Sequence, residues 1–164
     1  MPDSIDRLVA DWAVSQPELD LSPVEVVARI GRIRAHMLAS MNAVFEAHGL
    51  TDSDFATLSN LSRAGDEGCP MAALAADLGL TPGTVTSRMD RLTSRGYATT
   101  EACPTDARVR IARITPAGDG VFHETVPDHL ANERELLSPL TGQQREQLAD
   151  LLRLLLSAYE RPSS

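Results

Sequence analysis

Residues 70–96, with the sequence PMAALAADLGLTPGTVTSRMDRLTSRG, contain the pattern that decides the fold. Ala75 and Gly79 lie four residues apart, a spacing of small residues that lets two short helices cross closely at a tight turn. Thr81 can cap a second helix, and Gly96 can end that helix fifteen residues later. The segment therefore predicts a helix-turn-helix.

The second of these helices has two chemically different faces. Val85, Met89 and Leu92 recur at i, i+4 and i+7, which predicts a face turned to the core. The opposite face carries hydroxyl and arginine side chains, which can contact base edges and phosphates in a major groove. The alternative is a solvated surface helix whose arginines have no partner. The residues expected to contact DNA from this helix are Thr81, Pro82, Thr84, Thr86, Ser87, Arg88, Arg91 and Arg95.

Residues 97–115, YATTEACPTDARVRIARIT, predict a hairpin directly after the helix-turn-helix. Two β-prone runs flank a Cys-Pro-Thr-Asp turn, and Arg108 and Arg110 share one face of the returning strand. Arginines near a hairpin tip suit a minor groove, where the negative potential attracts guanidinium groups. Asp106 is expected to brace the Arg108 side chain by a charge-assisted hydrogen bond. Together these elements predict a winged helix-turn-helix with a two-stranded β wing.

Two motifs in this order resemble those of the MarR family of bacterial transcriptional regulators. The wing signature of that family, roughly Asp-x-Arg-x-x-x-aliphatic-x-Leu-Thr-x-x-Gly, corresponds here to Asp106, Arg108, Ala112, Ile114, Thr115 and Gly118. The helix-turn-helix consensus is matched by Leu74, Ala75, Leu78, Gly79, Thr84, Val85, Thr86, Arg88, Asp90, Arg91, Leu92 and Gly96. The resemblance extends from about residue 22 to residue 159.

The resemblance implies a mainly α chain and a division of labour along it. Residues 1–164 are expected to form a single MarR-type domain, with a DNA-binding lobe at 50–115 and dimerisation helices at 21–48 and 117–158. A homodimer fits the chemistry, because a lone helix-turn-helix contacts only one half of a pseudo-palindromic operator. The alternatives are that the leucine-rich last helix packs within one subunit, or that the winged helix serves a protein partner. A repressor on double-stranded DNA is the function that the family favours.

Helix boundaries are punctuated by capping residues. Ser22 is expected to cap a long helix that ends at Gly49, with Glu25 completing a capping box. Threonine caps are expected at the starts of three further helices, at Thr51, Thr115 and Thr141. The ends of the chain, residues 1–11 and 161–164, are expected to fray.

The net charge of −8 is unevenly distributed. Residues 71–115 hold six arginines against four acids, whereas the rest of the chain is strongly acidic. A local excess of only two positive charges predicts DNA binding with a shallow salt dependence. The sequence shows no signal peptide and no apolar run of about 20 residues, so a cytoplasmic protein without a membrane partner is expected.

Regulation by a small molecule is expected from the same resemblance. Residues 11–33 look like the branch of the family that includes the PecS-like and urate-responsive regulators, which carry an extra N-terminal helix with a tryptophan. The aspartate that this branch carries in its second helix aligns here with Ala56, and its arginine at the start of the wing aligns near Thr100. Because these two ligand residues are missing, a small aromatic or phenolic anion other than urate is the expected effector. The competing interpretation is a solvated set of arginines and a tryptophan that only packs. The candidate effector residues are Trp12, Arg29, Arg32, His36, Phe55 and Arg88.

A thiol-based redox regulator is the alternative on the same fold, with Cys69 and Cys103 as its candidates. The acidic neighbours of Cys103, Glu101 and Asp106, disfavour a reactive thiolate. No metal site or cofactor is expected, because no two of the four histidines lie at the i, i+4 spacing of a helical metal site. Phosphate-binding glycine loops and nucleophile elbows are also absent from the sequence, so no enzyme is expected.

Overall fold

A computed structural model describes residues 2–160 as a mainly helical chain with a small three-stranded antiparallel sheet. The helices are α1 (Ser4–Ser15), α2 (Ser22–Ala47), α3 (Asp52–Ala64), α4 (Met71–Asp77), α5 (Pro82–Ser94), α6 (Pro116–Leu136) and α7 (Gly142–Tyr159). The strands are β1 (Cys69–Pro70), β2 (Ala98–Cys103) and β3 (Asp106–Ile114). Within the described range, no helix is both long and apolar enough to cross a lipid bilayer.

The predicted threonine caps are confirmed. Thr51 and Thr141 form capping boxes with Asp54 and Gln144, and the side chains of Thr81 and Thr115 accept hydrogen bonds from backbone amides three residues later. The cap predicted at Ser22 is wrong. The helix α2 already includes Ser22, and its N-cap is Leu21, which makes no side-chain cap hydrogen bond. The Ser22 amide instead donates to the Asp20 side chain at 3.0 Å.

The N-terminal segment is ordered from residue 4 onward, so the fraying expected for residues 1–11 is wrong there. Asp3 caps α1 in a capping box, Ile5 is buried, and Arg29 of α2 donates to the Asp3 carboxylate at 2.8 Å. These contacts fix α1 against α2. They join residues far apart in the chain, so the capping pattern of α1 alone does not predict them. The fraying expected at residues 161–164 lies outside the described residues.

The sheet has the order β1-β3-β2 and contains one strand more than expected. The predicted two-stranded wing is formed by β2 and β3, with an irregularity of register at Ala102/Cys103. The additional strand, β1, pairs Cys69 with Ala112 and Pro70 with Ile111. This pairing ties the start of α4 to the base of the wing, so the wing and the helix-turn-helix are joined through one sheet.

The core of this lobe lies beneath α5. Val85, Met89 and Leu92 are all buried, as the helical periodicity predicts. They form one cluster with apolar side chains of α2, the α2–α3 turn, α3, α4 and the sheet, namely Phe45, Leu50, Leu58, Leu61, Leu74, Ala75, Ala98 and Ala112. Burial of this face fixes which side of α5 remains for a partner.

The lobe joins α6 through a close backbone contact. The Thr115 hydroxyl donates to the Gly96 carbonyl oxygen at 2.6 Å, and its amide donates to the Tyr97 carbonyl oxygen at 3.0 Å. A Cβ at Gly118 would overlap the Tyr97 carbonyl oxygen and lie 2.8 Å from the carbonyl carbon. Glycine at this position therefore lets α6 start directly against the segment that ends α5.

We expect Gly118→Ala to lower the free energy of unfolding by about 1–3 kcal/mol, because the added methyl group overlaps backbone atoms, which cannot move aside by a change of rotamer. Gly120→Ala is the matched control, since its Cβ would have no atom within 4 Å. The control should gain roughly 0.5–1 kcal/mol from helix propensity. Urea denaturation at one protein concentration measures both, and equal stability of the two variants would contradict this account of the joint.

Candidate nucleic-acid interface

The exposed face of α5 begins with hydroxyl side chains. Thr81, Thr84, Thr86 and Ser87 are exposed, and Pro82 occupies the first turn of the helix. The hydroxyls of Thr86 and Ser87 donate to backbone carbonyls four residues earlier, at 2.9 and 3.2 Å. Their oxygen lone pairs remain available as acceptors, so this end of α5 presents hydrogen-bonding groups in fixed positions.

Arg88 follows these hydroxyl residues on the same helix and is half-buried. Within residues 2–160 its guanidinium has no hydrogen-bond or salt-bridge partner. A guanidinium without an internal partner can make a bidentate contact to guanine or to phosphate.

The wing arginines differ in how they are held. Arg110 donates to the carbonyl oxygen of Thr100 at 2.9 Å, which fixes its side chain across the hairpin. Arg108 is exposed, and no described side chain or carbonyl pairs with its guanidinium. The expected brace is wrong in its detail, because Asp106 accepts the backbone amide of Arg108 at 3.0 Å rather than its side chain. A carboxylate two residues before an amide closes a local turn, which orders the wing tip and leaves Arg108 free.

An open groove lies between the start of α5 and the wing. It has a volume of about 310 Å³. The structure thereby brings four of the sequence-predicted residues to one surface, and they are Pro82, Thr86, Arg108 and Arg110. A helix end and a basic hairpin on either side of one groove provide the arrangement that a winged helix uses for adjacent major and minor grooves.

Arg91 and Arg95, at the other end of α5, have an internal partner that sequence reasoning missed. The Asp54 side chain is completely buried and accepts Arg91 Nε at 3.0 Å and Arg91 Nη2 at 2.7 Å on Oδ1. Its Oδ2 accepts Arg95 Nη1 at 3.3 Å and the Thr51 amide at 3.0 Å. Burial by itself raises the pKa of Asp54, but these hydrogen bonds, led by those of Arg91, outweigh it and the pKa is lowered.

The candidate effector residues are dispersed over the chain. Trp12 lies on α1 with 45% of its surface exposed, and Arg32 and His36 are exposed on α2. Phe55 belongs to an aromatic cluster, stacked on Phe45 with ring centroids 4.6 Å apart. Arg88 lies on α5, so the candidates are spread over α1, α2, α3 and α5.

Arg29, the sixth candidate, already has two anionic partners. It pairs with Asp3 and Asp6 of α1. The hydrogen bond from Arg29 is the largest contribution that lowers the pKa of Asp3 to about 2. The clear role of Arg29 is therefore to hold α1 on α2.

The two cysteines have opposite tendencies. Hydrogen bonding from the Thr105 hydroxyl, 3.2 Å from Sγ, and from the amides of Thr105 and Asp106 lowers the pKa of the Cys103 thiol. The sequence expectation from its acidic neighbours is therefore wrong, because the charge of Asp106 raises the pKa by less than the hydrogen bonds lower it. Burial raises the pKa of Cys69.

Comparisons with known proteins agree with this geometry. A family model described as MarR family matches residues 48–109. The transcriptional regulator MhqR of Bacillus subtilis is 33% identical over 113 residues, which cover 69% of this chain and 77% of that protein. The chain belongs to the MarR family. It is thus a winged-helix, DNA-binding transcriptional regulator.

Two further proteins extend the MarR-family match along the chain. The transcriptional regulator PecS of Dickeya dadantii is 28% identical over 152 residues, which cover 90% of both chains. The crystal structure of Sco3205, a MarR family regulator from Streptomyces coelicolor in complex with DNA, has a TM-score of 0.79 at 22% identity. That likeness covers 90% of this chain and 94% of Sco3205, so the fold is shared almost throughout.

We expect Arg108→Ala to weaken binding to all duplexes by similar factors, because a minor-groove guanidinium mainly contributes charge. The test uses a duplex enriched from a random-sequence library by the wild-type protein, here called the selected duplex, beside a mixed-sequence duplex. The slope of log K against log salt should fall by about one. Arg7→Ala, which removes the same charge from an exposed position on α1, is the control. A loss confined to the selected duplex would contradict the role given to Arg108.

Proposed function

We propose that this MarR-family chain is a homodimeric repressor that binds a two-fold symmetric operator and is released by a small aromatic or phenolic anion. The observation that carries the DNA-binding part is the groove that unites the start of α5 with Arg108 and Arg110. Residues 50–115 form the DNA-binding lobe in this proposal. The dimerisation helices lie within residues 21–48 and 117–158.

The contacts to DNA divide by groove. Thr81 and Pro82 start α5 and place its N-terminal amides, at the positive end of the helix dipole, near a phosphate. Thr84, Thr86, Ser87 and Arg88 face the major groove, with Arg88 as the bidentate donor. Arg108 and Arg110 enter the minor groove, and Asp106 orders the turn that presents Arg108. Arg91 and Arg95 lie farther along α5, where they bind Asp54 rather than bases.

The dimer is supported by the surface of α7. Every residue of this helix is exposed in the single chain, including Leu151 at 66% and Leu154 at 72%. An open groove of about 880 Å³ separates α7 from α2 and is lined mainly by valine, isoleucine and leucine. Apolar surface of this extent is costly in water, and a second copy of the chain would cover it while supplying the second half-site reader.

Leu152→Glu should separate the dimer into monomers, raising its dissociation constant by roughly a hundredfold, because a carboxylate would be desolvated in an apolar interface. Leu152 lines the groove between α7 and α2. Ser157→Glu places the same charge on another part of α7 and should leave the dimer intact. Light scattering after size-exclusion chromatography at several concentrations measures both. A monomeric wild-type protein, or a dimeric Leu152→Glu variant, would contradict the proposed interface.

The effector part of the proposal has support from a protein of the same fold. BpsR of Bordetella bronchiseptica, 22% identical with a TM-score of 0.72 over 79% of this chain and 91% of BpsR, is regulated in its DNA binding by 6-hydroxynicotinic acid. In this chain Trp12, Arg32 and His36 keep exposed surface for an aromatic anion. Phe55, Arg29 and Arg88 remain candidates, although Arg29 would have to exchange its bonds to Asp3 and Asp6.

Titration of the selected duplex in the presence of phenolic and purine acids tests this part. One of these acids should release the DNA, and it should also quench the fluorescence of Trp12, the sole tryptophan. Binding that no acid relieves would contradict the effector proposal and leave the DNA-binding proposal intact.

The lowered pKa of Cys103 favours a second candidate, a redox-responsive regulator on the same fold. In that case peroxide would release the DNA from the wild-type protein and from Cys69→Ser, but not from Cys103→Ser. Equal responses of the two cysteine variants would contradict it.

A further inference from the structure

The helix α5, here called the recognition helix, is joined to α3 by an ionic cluster around the buried Asp54 carboxylate, at the end of α5 away from the groove. Asp54 of α3 accepts hydrogen bonds from both Arg91 and Arg95 of α5. Arg91 also donates to the Ser53 hydroxyl at 2.8 Å, and Arg95 donates to the Gly49 carbonyl oxygen at 2.6 Å. The cluster therefore connects α5 to the α2–α3 turn as well as to α3 itself.

The Asp54 carboxylate holds both arginines, whose side chains remain 44% (Arg91) and 31% (Arg95) exposed. The carboxylate is completely buried, and both of its oxygens are occupied by the two guanidinium groups and the Thr51 amide. A buried carboxylate whose partners leave is strongly destabilised, so the cluster resists opening. Arg95 is held further by the ring of Tyr97, whose centroid lies 4.7 Å from its guanidinium carbon.

We propose that Asp54 is a positioning residue for DNA recognition, which keeps Arg91 and Arg95 from contacting bases and fixes the angle at which α5 is presented. The proposal rests on the DNA-binding function given above. It assigns base contacts on α5 to Arg88 and the preceding hydroxyl residues, while Arg91 and Arg95 act through Asp54. The three arginines of this helix thus separate into one contacting residue, Arg88, and two positioning residues, Arg91 and Arg95.

The cluster also limits indiscriminate binding. Asp54 compensates one of the two guanidinium charges, which keeps the local positive charge low. Arginines released from the carboxylate would bind phosphates of any sequence, and each added phosphate contact steepens the salt dependence of binding. Loss of Asp54 should therefore change specificity and salt dependence together.

The test compares Asp54→Asn with Asp77→Asn in the full chain. Asparagine keeps the size of the side chain and an acceptor for the Thr51 amide, but it removes the charge that holds the arginines. Asp77 pairs with Arg63 at an exposed site, so its variant makes the same charge change and also frees an arginine. Fluorescence anisotropy with the selected duplex and with a mixed-sequence duplex, each over a range of salt, gives the affinities.

For Asp54→Asn we expect the preference for the selected duplex to fall roughly tenfold, the equivalent of one misaligned bidentate contact. The salt slope on the mixed-sequence duplex should steepen by about one to two. Asp77→Asn should retain the wild-type preference. An unchanged preference and slope in Asp54→Asn would overturn the inference, as would a parallel loss on both duplexes with an unchanged slope, which indicates a purely structural role. Failure of the wild-type protein to enrich any duplex would instead overturn the proposed function.

Arg91→Gln provides a second test that does not depend on the folding of Asp54→Asn. A positioning role predicts that Arg91→Gln weakens binding evenly over a set of single-base substitutions in the selected duplex. Arg88→Gln, by contrast, should lose discrimination at one base position in each half-site. Lost discrimination at a single position in Arg91→Gln would show that Arg91 contacts a base and would overturn the inference.

Discussion

The buried carboxylate of Asp54 is the interaction on which the placement of the recognition helix depends. It belongs to the capping box that starts α3, and it also accepts both arginines from the far end of α5. One side chain thus fixes a helix start and a helix-to-helix contact. Because burial makes an unpaired charge costly, the two arginines stay with this carboxylate and the opposite end of α5 is left for DNA.

A second contact connects the DNA-binding lobe to the long helix α6. Thr115 and Gly118 bring the start of α6 against the backbone that follows α5, with hydrogen bonds to Gly96 and Tyr97. The wing is tied to the same lobe through β1 and β3. The lobe is therefore held together by contacts on several sides, whereas α7 and α2 leave an apolar groove open to solvent. This contrast is what the proposed dimer explains.

The parts of the structure that the sequence predicted depend on residues close together in the chain. Threonine caps, the turn at Gly79 and the buried face of α5 all follow from spacings of a few residues, and they are confirmed. The missed features join distant residues. Arg91 and Asp54 are 37 residues apart, and Arg29 and Asp3 are 26 apart. Local periodicity cannot show such pairs. The one signal in the sequence is an aspartate at the third position of α3 together with two arginines at i, i+4 spacing at the end of α5.

Hydroxyl-radical footprinting of the wild-type protein on the selected duplex shows whether two copies present their winged helices to one duplex. We expect two protected backbone segments centred about 10 base pairs apart, related by a two-fold axis. Protection should extend into the flanking minor grooves where the wings lie. A single protected segment, or protection spread evenly along the duplex, would contradict the account.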